Sequence, residues 1–313
     1  MKTAIIGAGG VGGYFGGKMA HAGLDVTFIS RGENLKALRE KGLTVKSISG
    51  NFSMANVKAT ESFAEIGQPD LIILCVKAWQ VKEIMPALLK NVHRDTVILP
   101  LQNGIMACDE IKETADEKHA VGGLCRIISK IESPGVIEHF GVDPLIIFGE
   151  LDHAMTNRVK AIKSVFDEAG ISSRISADIH AELWKKFIPI CTSALLAVTR
   201  STYGEVREMK ETRKLMVDII QENFNLSQKL GIAIEADFVE KAVAYIDSFP
   251  YHSTSSLTRD IWENKPSEIE YQNGTSVRLG EKLGIEVPVN RFVYHCILPM
   301  EKKAREEKKE RDS

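Results

Sequence analysis

A short apolar run, Thr3–Ile6 (TAII), leads directly into Gly7-Ala8-Gly9-Gly10-Val11-Gly12. No other stretch restricts the fold of this chain as strongly. The spacing is GxGxxG, placed after a predicted strand and at the opening of a predicted helix, which is the context the motif needs. In that setting Gly7 permits a tight turn, Gly9 lets the backbone approach a pyrophosphate, and Gly12 lets helix and strand pack closely. The free N–H groups at the helix start, carrying partial positive charge, suit a phosphate. The helix is predicted to run through Met19 and Ala20 and to stop at Gly23. A glycine-rich turn without a ligand is the plainer reading. The strand-forming run LDVTFIS (24–30) that follows favours dinucleotide binding.

The end of that second strand bears on which dinucleotide. An NAD site usually places Asp or Glu there for the ribose 2′-hydroxyl. This chain has Ser30-Arg31-Gly32. A guanidinium offers a 2′-phosphate both charge and a fork of donors, so NADPH is the predicted cofactor, with Arg31 on its 2′-phosphate. The alternative for Arg31 is a surface arginine after a strand. Two more predicted strands, LIILCV (71–76) and TVILPL (96–101), end just before Lys77 and Asn103. Ligands of open α/β sheets bind beyond such strand ends. A lysine snorkelling to water and an Asn-Gly turn account for them equally well.

The continuous apolar runs at 71–76 and 96–101 fit central strands of a parallel sheet covered on both faces. Between them AWQVKEIMPALLKNV has helical spacing despite Pro86. GVIEHF and PLIIFGE read as strands, TNRVKAIKSVFDEAG as an amphipathic helix ending at Gly170, and ISSRISAD as a last strand. Beyond about Asp178 the pattern is almost wholly helical, broken at Leu230-Gly231, Phe249-Pro250 and Leu283-Gly284. The expected architecture is an α/β domain with a parallel sheet over residues 1–179, followed by an all-α domain over 180–313. The closing EKKAREEKKERDS is expected to be the solvated, fraying end of a helix.

Composition excludes several function classes. The 313 residues are 44% hydrophobic and 26% charged, enough for a sizeable core, and the formal charge is −2. That balance argues against a dedicated nucleic-acid or membrane-surface binder. Five cysteines without a CxxC pair suggest reduced thiols, and eight histidines without ligand spacing suggest no metal. No apolar run approaches a membrane span and no signal-peptide layout is seen, so a cytoplasmic protein is expected.

The stretch ELWKKFIPICTSALLAVTR (182–200) places Lys185 and Lys186 at the head of an otherwise apolar or small helix. Helical spacing puts Lys186 on a face with Leu183, Ile190, Ser193 and Ala197. Either both lysines snorkel to solvent, or Lys186 lines a cleft. In a cleft it needs a carboxylate partner and becomes a general acid suited to protonating a carbonyl oxygen. PSEIEYQNG (266–274) offers Glu268 and Glu270 just inside a predicted helix begun by Pro266-Ser267. HSTSSLTRD (252–260) supplies hydroxyls that suit either a carboxylate substrate or plain helix capping.

Taken together, GAGGVGG, VKAWQ (76–80), LPLQNG (99–104), ELWKKF (182–187), SSLTRD and EIEYQNG resemble the 2-dehydropantoate 2-reductases, or ketopantoate reductases, along nearly the whole chain. The resemblance implies a Rossmann-type domain followed by an all-α domain with the active site in the cleft between them. It also implies NADPH-dependent reduction of 2-dehydropantoate to pantoate. By motif, Lys186 would be the proton donor. Asn103 would touch cofactor and substrate, Ser256 the substrate. Glu268 would lie by the nicotinamide ribose and the lysine. The oligomeric state is left open, a homodimer being compatible. One departure stands out. Where the best-known members carry asparagines one and two turns after the lysine, this chain has Ile190 and Ala194, and Pro189 is expected to bend the helix. A different or bulkier 2-oxo acid is therefore the first alternative substrate, because a pocket without those amides discriminates differently. An NADPH-binding sensor without turnover is the alternative from another class.

Overall fold

The computed structural model describes residues 1–312. The chain forms two compact units, Met1–Gln102 with Met106–Glu182, and Asn103–Ile105 with Leu183 onward.

The first unit carries strands β1 (Thr3–Ile6), β2 (Val26–Ile29), β3 (Leu43–Ser47), β4 (Phe52–Met54), β5 (Lys58–Thr60), β6 (Leu71–Leu74), β7 (Val97–Pro100), β8 (Gly122–Ser133), β9 (Val136–Gly149) and β10 (Ser173–Ile175). Its helices are α1 (Gly10–His21), α2 (Gly32–Lys41), α3 (Gln80–Leu88), α4 (Ala107–Lys112) and α5 (Asn157–Glu168). The main sheet is parallel, in the order β5-β2-β1-β6-β7. Successive residues of a strand face opposite sides, so each strand feeds two cores. Ile5, Phe28, Ile73 and Leu99 join Phe15 and Met19 of α1 on one side. Ala4, Ile6, Ile72 and Leu74 join Val81, Met85 and Leu88 of α3 on the other. Burial on both faces is why these strands read as unbroken apolar runs.

A second sheet is a correction to the sequence reading. GVIEHF and PLIIFGE are one strand, β9, and belong to a sheet ordered β10-β9-β3-β4. The antiparallel partner of β9 is β8, which had no strand prediction. The pair escapes a periodicity reading because its outer half is exposed and its register shifts twice. Thr156 caps α5, its side chain accepting from the Val159 N–H.

The division between units falls inside α6 (Ile179–Ile190), after Glu182. The second unit continues with α7 (Ser193–Thr199), α8 (Tyr203–Glu208), α9 (Lys210–Lys229), α10 (Phe238–Asp247), α11 (Ser256–Trp262), α12 (Asn273–Leu283) and α13 (Pro288–Asp312). Trp184, Phe187, Leu196, Ile219, Ile220 and Ile297 are among its core residues. Four expectations change here. Pro189 does not merely bend a helix: α6 ends one residue later, and the Thr192 N–H and hydroxyl both donate to the Pro189 carbonyl. Ser193 and Ala197 therefore sit on α7, a separate helix from the one bearing Lys186. Glu268 precedes a single 3₁₀ turn, Ile269–Tyr271, rather than lying inside an α-helix. The charged run after Met300 is not uniformly solvated, since Glu301 and Ala304 are buried. No helix among the described residues is long and apolar enough to cross a membrane.

Candidate active site

Strand order builds a candidate ligand position in the first unit. In the main sheet β1 lies between β2 and β6, so their carboxyl ends bring the glycine turn, Arg31 and Lys77 to one edge. This is the point where the strand order reverses, the usual ligand position in such sheets. The turn is anchored from both neighbours: the Gly7 and Ala8 N–H groups donate to the Ile29 carbonyl, and the Cys75 N–H donates to that of Ile6. Gly7 has φ +102°, and a Cβ there would stand 2.9 Å from the Val76 nitrogen. At Gly12 a Cβ would stand 2.0 Å from the Gly7 carbonyl oxygen. Gly9 differs, because nothing lies within 4 Å of where its Cβ would be. The turn therefore packs inward at two glycines and leaves bare backbone facing open space at the third, ahead of the N-terminus of α1. That surface fits a pyrophosphate.

Ser30 is buried at the end of β2, and Arg31 follows it, exposed, as the N-cap residue of α2. Its guanidinium has no ion-pair partner among the described residues. Lys77 is half-buried, its Nζ 5.9 Å from the centroid of the Trp79 ring, and its N–H donates to Gln80 Oε1. Sequence reasoning missed Asn34. Its amide donates to the Ala8 carbonyl and to Ser30 Oγ, both at 3.0 Å, while its oxygen accepts from the Gly135 N–H at 2.9 Å. One side chain thus ties the glycine turn to the end of β2, using both donor hydrogens and its acceptor. As the third residue of a helix and away from any motif, it gave no signal in the sequence.

The second unit gives Lys185 and Lys186, and Glu268 and Glu270, different surroundings. Lys185 is committed to Glu235, with Nζ 2.7 Å from Oε2. That bond pulls the Glu235 carboxyl down to about 2. Lys186, half-buried, points about 100° further round α6. On the same helix the rings of Trp184 and Phe187 are buried and meet edge to face at 5.4 Å. Glu270 is likewise committed, accepting from the Tyr294 hydroxyl at 2.7 Å and from Arg278 at 3.0 Å. Burial and, next, Glu270 push the Tyr294 hydroxyl well above its ordinary range. Glu268 is only 6% exposed, and its Oε2 accepts from Asn103 Nδ2 at 3.2 Å.

That bond joins residues 165 positions apart in sequence. It is possible because Asn103–Ile105 packs with the second unit. Gly104 allows the approach: its φ is +97°, and a Cβ would stand 2.7 Å from the Tyr271 carbonyl oxygen. Ser256 is placed less decisively. Ser255, not Ser256, caps α11, accepting from the Thr258 N–H at 3.0 Å. Ser256 is exposed in the first turn and makes no hydrogen bond among the described residues. Its hydroxyl is thus spare, whereas that of Ser255 is used. Ile190 is half-buried and Ala194 buried.

Comparison with known proteins agrees along the chain. Residues 3–153 match the family described as "Ketopantoate reductase PanE/ApbA", and residues 178–301 match "Ketopantoate reductase PanE/ApbA C terminal". A 2-dehydropantoate 2-reductase of Pyrococcus abyssi is 30% identical over 303 residues, 95% of this chain and 97% of that protein. An uncharacterized oxidoreductase of Bacillus subtilis, YkpB, is 28% identical over 94% of this chain and 97% of its own. Among solved structures, a PanE/ApbA family ketopantoate reductase from Ralstonia eutropha JMP134 superposes with a TM-score of 0.90 at 28% identity, covering 97% of this chain and all of that one. A D-mandelate dehydrogenase solved with NADH and anilino(oxo)acetate shares the fold, with a TM-score of 0.88 at 24% identity over 97% of this chain and 100% of its own.

Proposed function

Because this chain belongs to the ketopantoate reductase family of oxidoreductases, we propose that it reduces the ketone of a 2-oxo acid, 2-dehydropantoate first, at the expense of NADPH. The observation that carries this reading is the hydrogen bond between Asn103 and the buried Glu268, in the unit that also holds Lys186. When bound, NADPH supplies the hydride that C2 of the oxo acid accepts. The chain's own residues do the rest. The backbone of Gly7, Ala8, Gly9, Gly10, Val11 and Gly12, with the N-terminus of α1, holds the pyrophosphate. Arg31 takes the 2′-phosphate as a paired donor, and Lys77, beyond the end of β6, reaches the cofactor with its positive charge. Lys186 gives its proton to the C2 oxygen as negative charge develops there, so no free alkoxide forms. Glu268 sets the orientation of Lys186 and of Asn103. Asn103 and Ser256 orient the acid through amide and hydroxyl donors. Residues 1–179 thus serve mainly the cofactor, with Asn103 reaching the substrate as well, and 180–313 the substrate and the proton.

A second substrate reading is favoured by Ile190 and Ala194. Neither can bond a hydroxyl, so an oxo acid with a more apolar chain is the competing choice. One assay tests all of this: NADPH and NADH oxidation followed at 340 nm with 2-dehydropantoate and a panel of 2-oxo acids, on wild type and Lys186→Ala. Expected are preference for NADPH, highest kcat/KM for 2-dehydropantoate or a close apolar analogue, and a fall in kcat of about 10²–10⁴ for the variant. Near-normal turnover by Lys186→Ala would rule out its role as proton donor. Preference for NADH would count against Arg31. Tight NADPH binding with no turnover on any oxo acid would point to a sensor.

A further inference from the structure

Glu301 is only 4% exposed, although it opens a run of charges that by composition belongs in water. Its Oε2 accepts twice from a single residue, from the Ser267 N–H at 2.9 Å and the Ser267 hydroxyl at 2.6 Å. Its Oε1 lies 2.7 Å from Arg305 Nε, one helical turn further along α13. Arg305 also reaches the Ser267 carbonyl, at 3.4 Å. Ser267 is fully buried and immediately precedes Glu268. On its other side Glu268 is held by its own carbonyl, which accepts from the Tyr271 and Gln272 N–H groups at 3.0 Å each. A buried carboxylate carries a desolvation cost of several kcal/mol, offset here by the ion pair and two charge-assisted bonds. Capping a turn needs nothing so costly; a serine or asparagine suffices. What the cluster does uniquely is grip the backbone of the one residue next to Glu268.

We propose that Glu301 is a positioning residue for the reduction, fixing the main chain at Ser267 so that the Glu268 carboxylate stays in register with Asn103. The inference rests on the role given to Glu268 above. Glu301 itself touches neither substrate nor cofactor. It acts through the geometry of Glu268, and displacing a site group by about 1 Å costs up to roughly a hundredfold in rate. The effect should therefore fall on kcat and vanish where Glu268 has no carboxylate to aim.

The test is a double-mutant cycle on the full chain, with steady-state kinetics and thermal unfolding measured for each variant. Glu301→Ala is expected to lower kcat about tenfold or more, and Glu301→Gln, which keeps an oxygen for Ser267, to recover part of that loss. In a Glu268→Ala background the same Glu301→Ala change should alter kcat less than about twofold, the mark of residues acting as one unit. If Glu301→Ala proves too unstable, Ser267→Ala removes a single bond and should show a smaller loss with the same non-additivity. Full activity in folded Glu301→Ala, or an undiminished loss in the Glu268→Ala background, would overturn the inference while leaving Glu268 its role. Normal turnover by Glu268→Ala alone would overturn both, and its effect on kcat tells the two failures apart.

Discussion

Gly9 and Gly12 stand three residues apart and are glycine for unrelated reasons. At Gly12 a methyl group would fall 2.0 Å from the Gly7 carbonyl oxygen and 2.9 Å from Ile5, so the helix would have to move off the sheet. At Gly9 the backbone is extended, with φ −80° and ψ −162°, and the space beyond is open. Gly12→Ala should therefore lose about 1–3 kcal/mol of stability by overpacking. Gly9→Ala should stay within about 1 kcal/mol of wild type, since alanine tolerates that conformation, yet bind NADPH at least about tenfold more weakly because its methyl group occupies the pyrophosphate's approach. Urea denaturation and a fluorescence titration with NADPH separate the two effects. Normal NADPH affinity in Gly9→Ala would mean that the open side of the turn is not the ligand side. Such distinctions were legible in the motif, whose three roles depend only on local spacing. The choice of Lys186 over Lys185, and of Glu268 over Glu270, came from the family motifs; its physical ground was not legible. It rests on Glu235, Tyr294 and Arg278, which come from elsewhere in the chain.

Elements were legible where their burial repeats with a simple period. Strands β1, β2, β6 and β7 follow the sequence closely as unbroken apolar runs, and α5 does so as a regular apolar face, whereas β3 and the short, partly exposed β5 carried no prediction. The pair β8–β9 does not follow the sequence closely, and α6 stops early because Pro189 and Thr192 rearrange the local hydrogen bonds. The start of α13 shows what periodicity leaves out. Pro288 opens the helix, and the free N–H groups of Val289 and Asn290 donate to the carboxylate of Glu222, each at 2.9 Å. Asn290 Nδ2 adds a third bond to Glu222 at 2.8 Å. Asn290 Oδ1 in turn accepts from Asn273 and Asn223, and Asn223 accepts from Ser276. A buried anion thus serves a helix N-terminus and holds α9, α12 and α13 together. Hydrogen bonds to a charged group are worth about 1.5–3 kcal/mol each, and breaking a buried network leaves its partners unsatisfied. Glu222→Ala should cost about 3–5 kcal/mol, read by urea denaturation. A loss below about 1 kcal/mol would mean that water replaces the carboxylate and that the network is not what fixes α13.

At the scale of the molecule, the change from alternating strands and helices to helices alone was legible, because composition and period shift together near residue 180. The transfer of Asn103–Ile105 to the second unit was not, since three residues carry no periodicity and their placement depends on Gly104 meeting Tyr271. The same dependence on distant packing governs the five cysteines, all of them free thiols. Burial pushes the Cys108 thiol up to about 12, and raises those of Cys75 and Cys191 well above their ordinary value. Only the thiolate attacks a disulfide reagent, so at pH 8 a thiol at about 12 is ionised roughly one part in 10⁴. Cys125 is buried, its Sγ donating to the Leu101 carbonyl at 3.7 Å. Cys296 is partly exposed, as Cys75 is, and lies in an open groove beside Arg291, Phe292 and His295 of α13. A chromogenic disulfide reagent at pH 8 should therefore titrate one thiol quickly in the native protein, lose that phase in Cys296→Ser, and find all five in guanidinium. A second fast thiol from among the buried Cys108, Cys125 and Cys191 would show that its surroundings open on the timescale of the reaction. The kinetics of its appearance, against those of a helix-sensitive signal such as circular dichroism, would tell local opening from global unfolding.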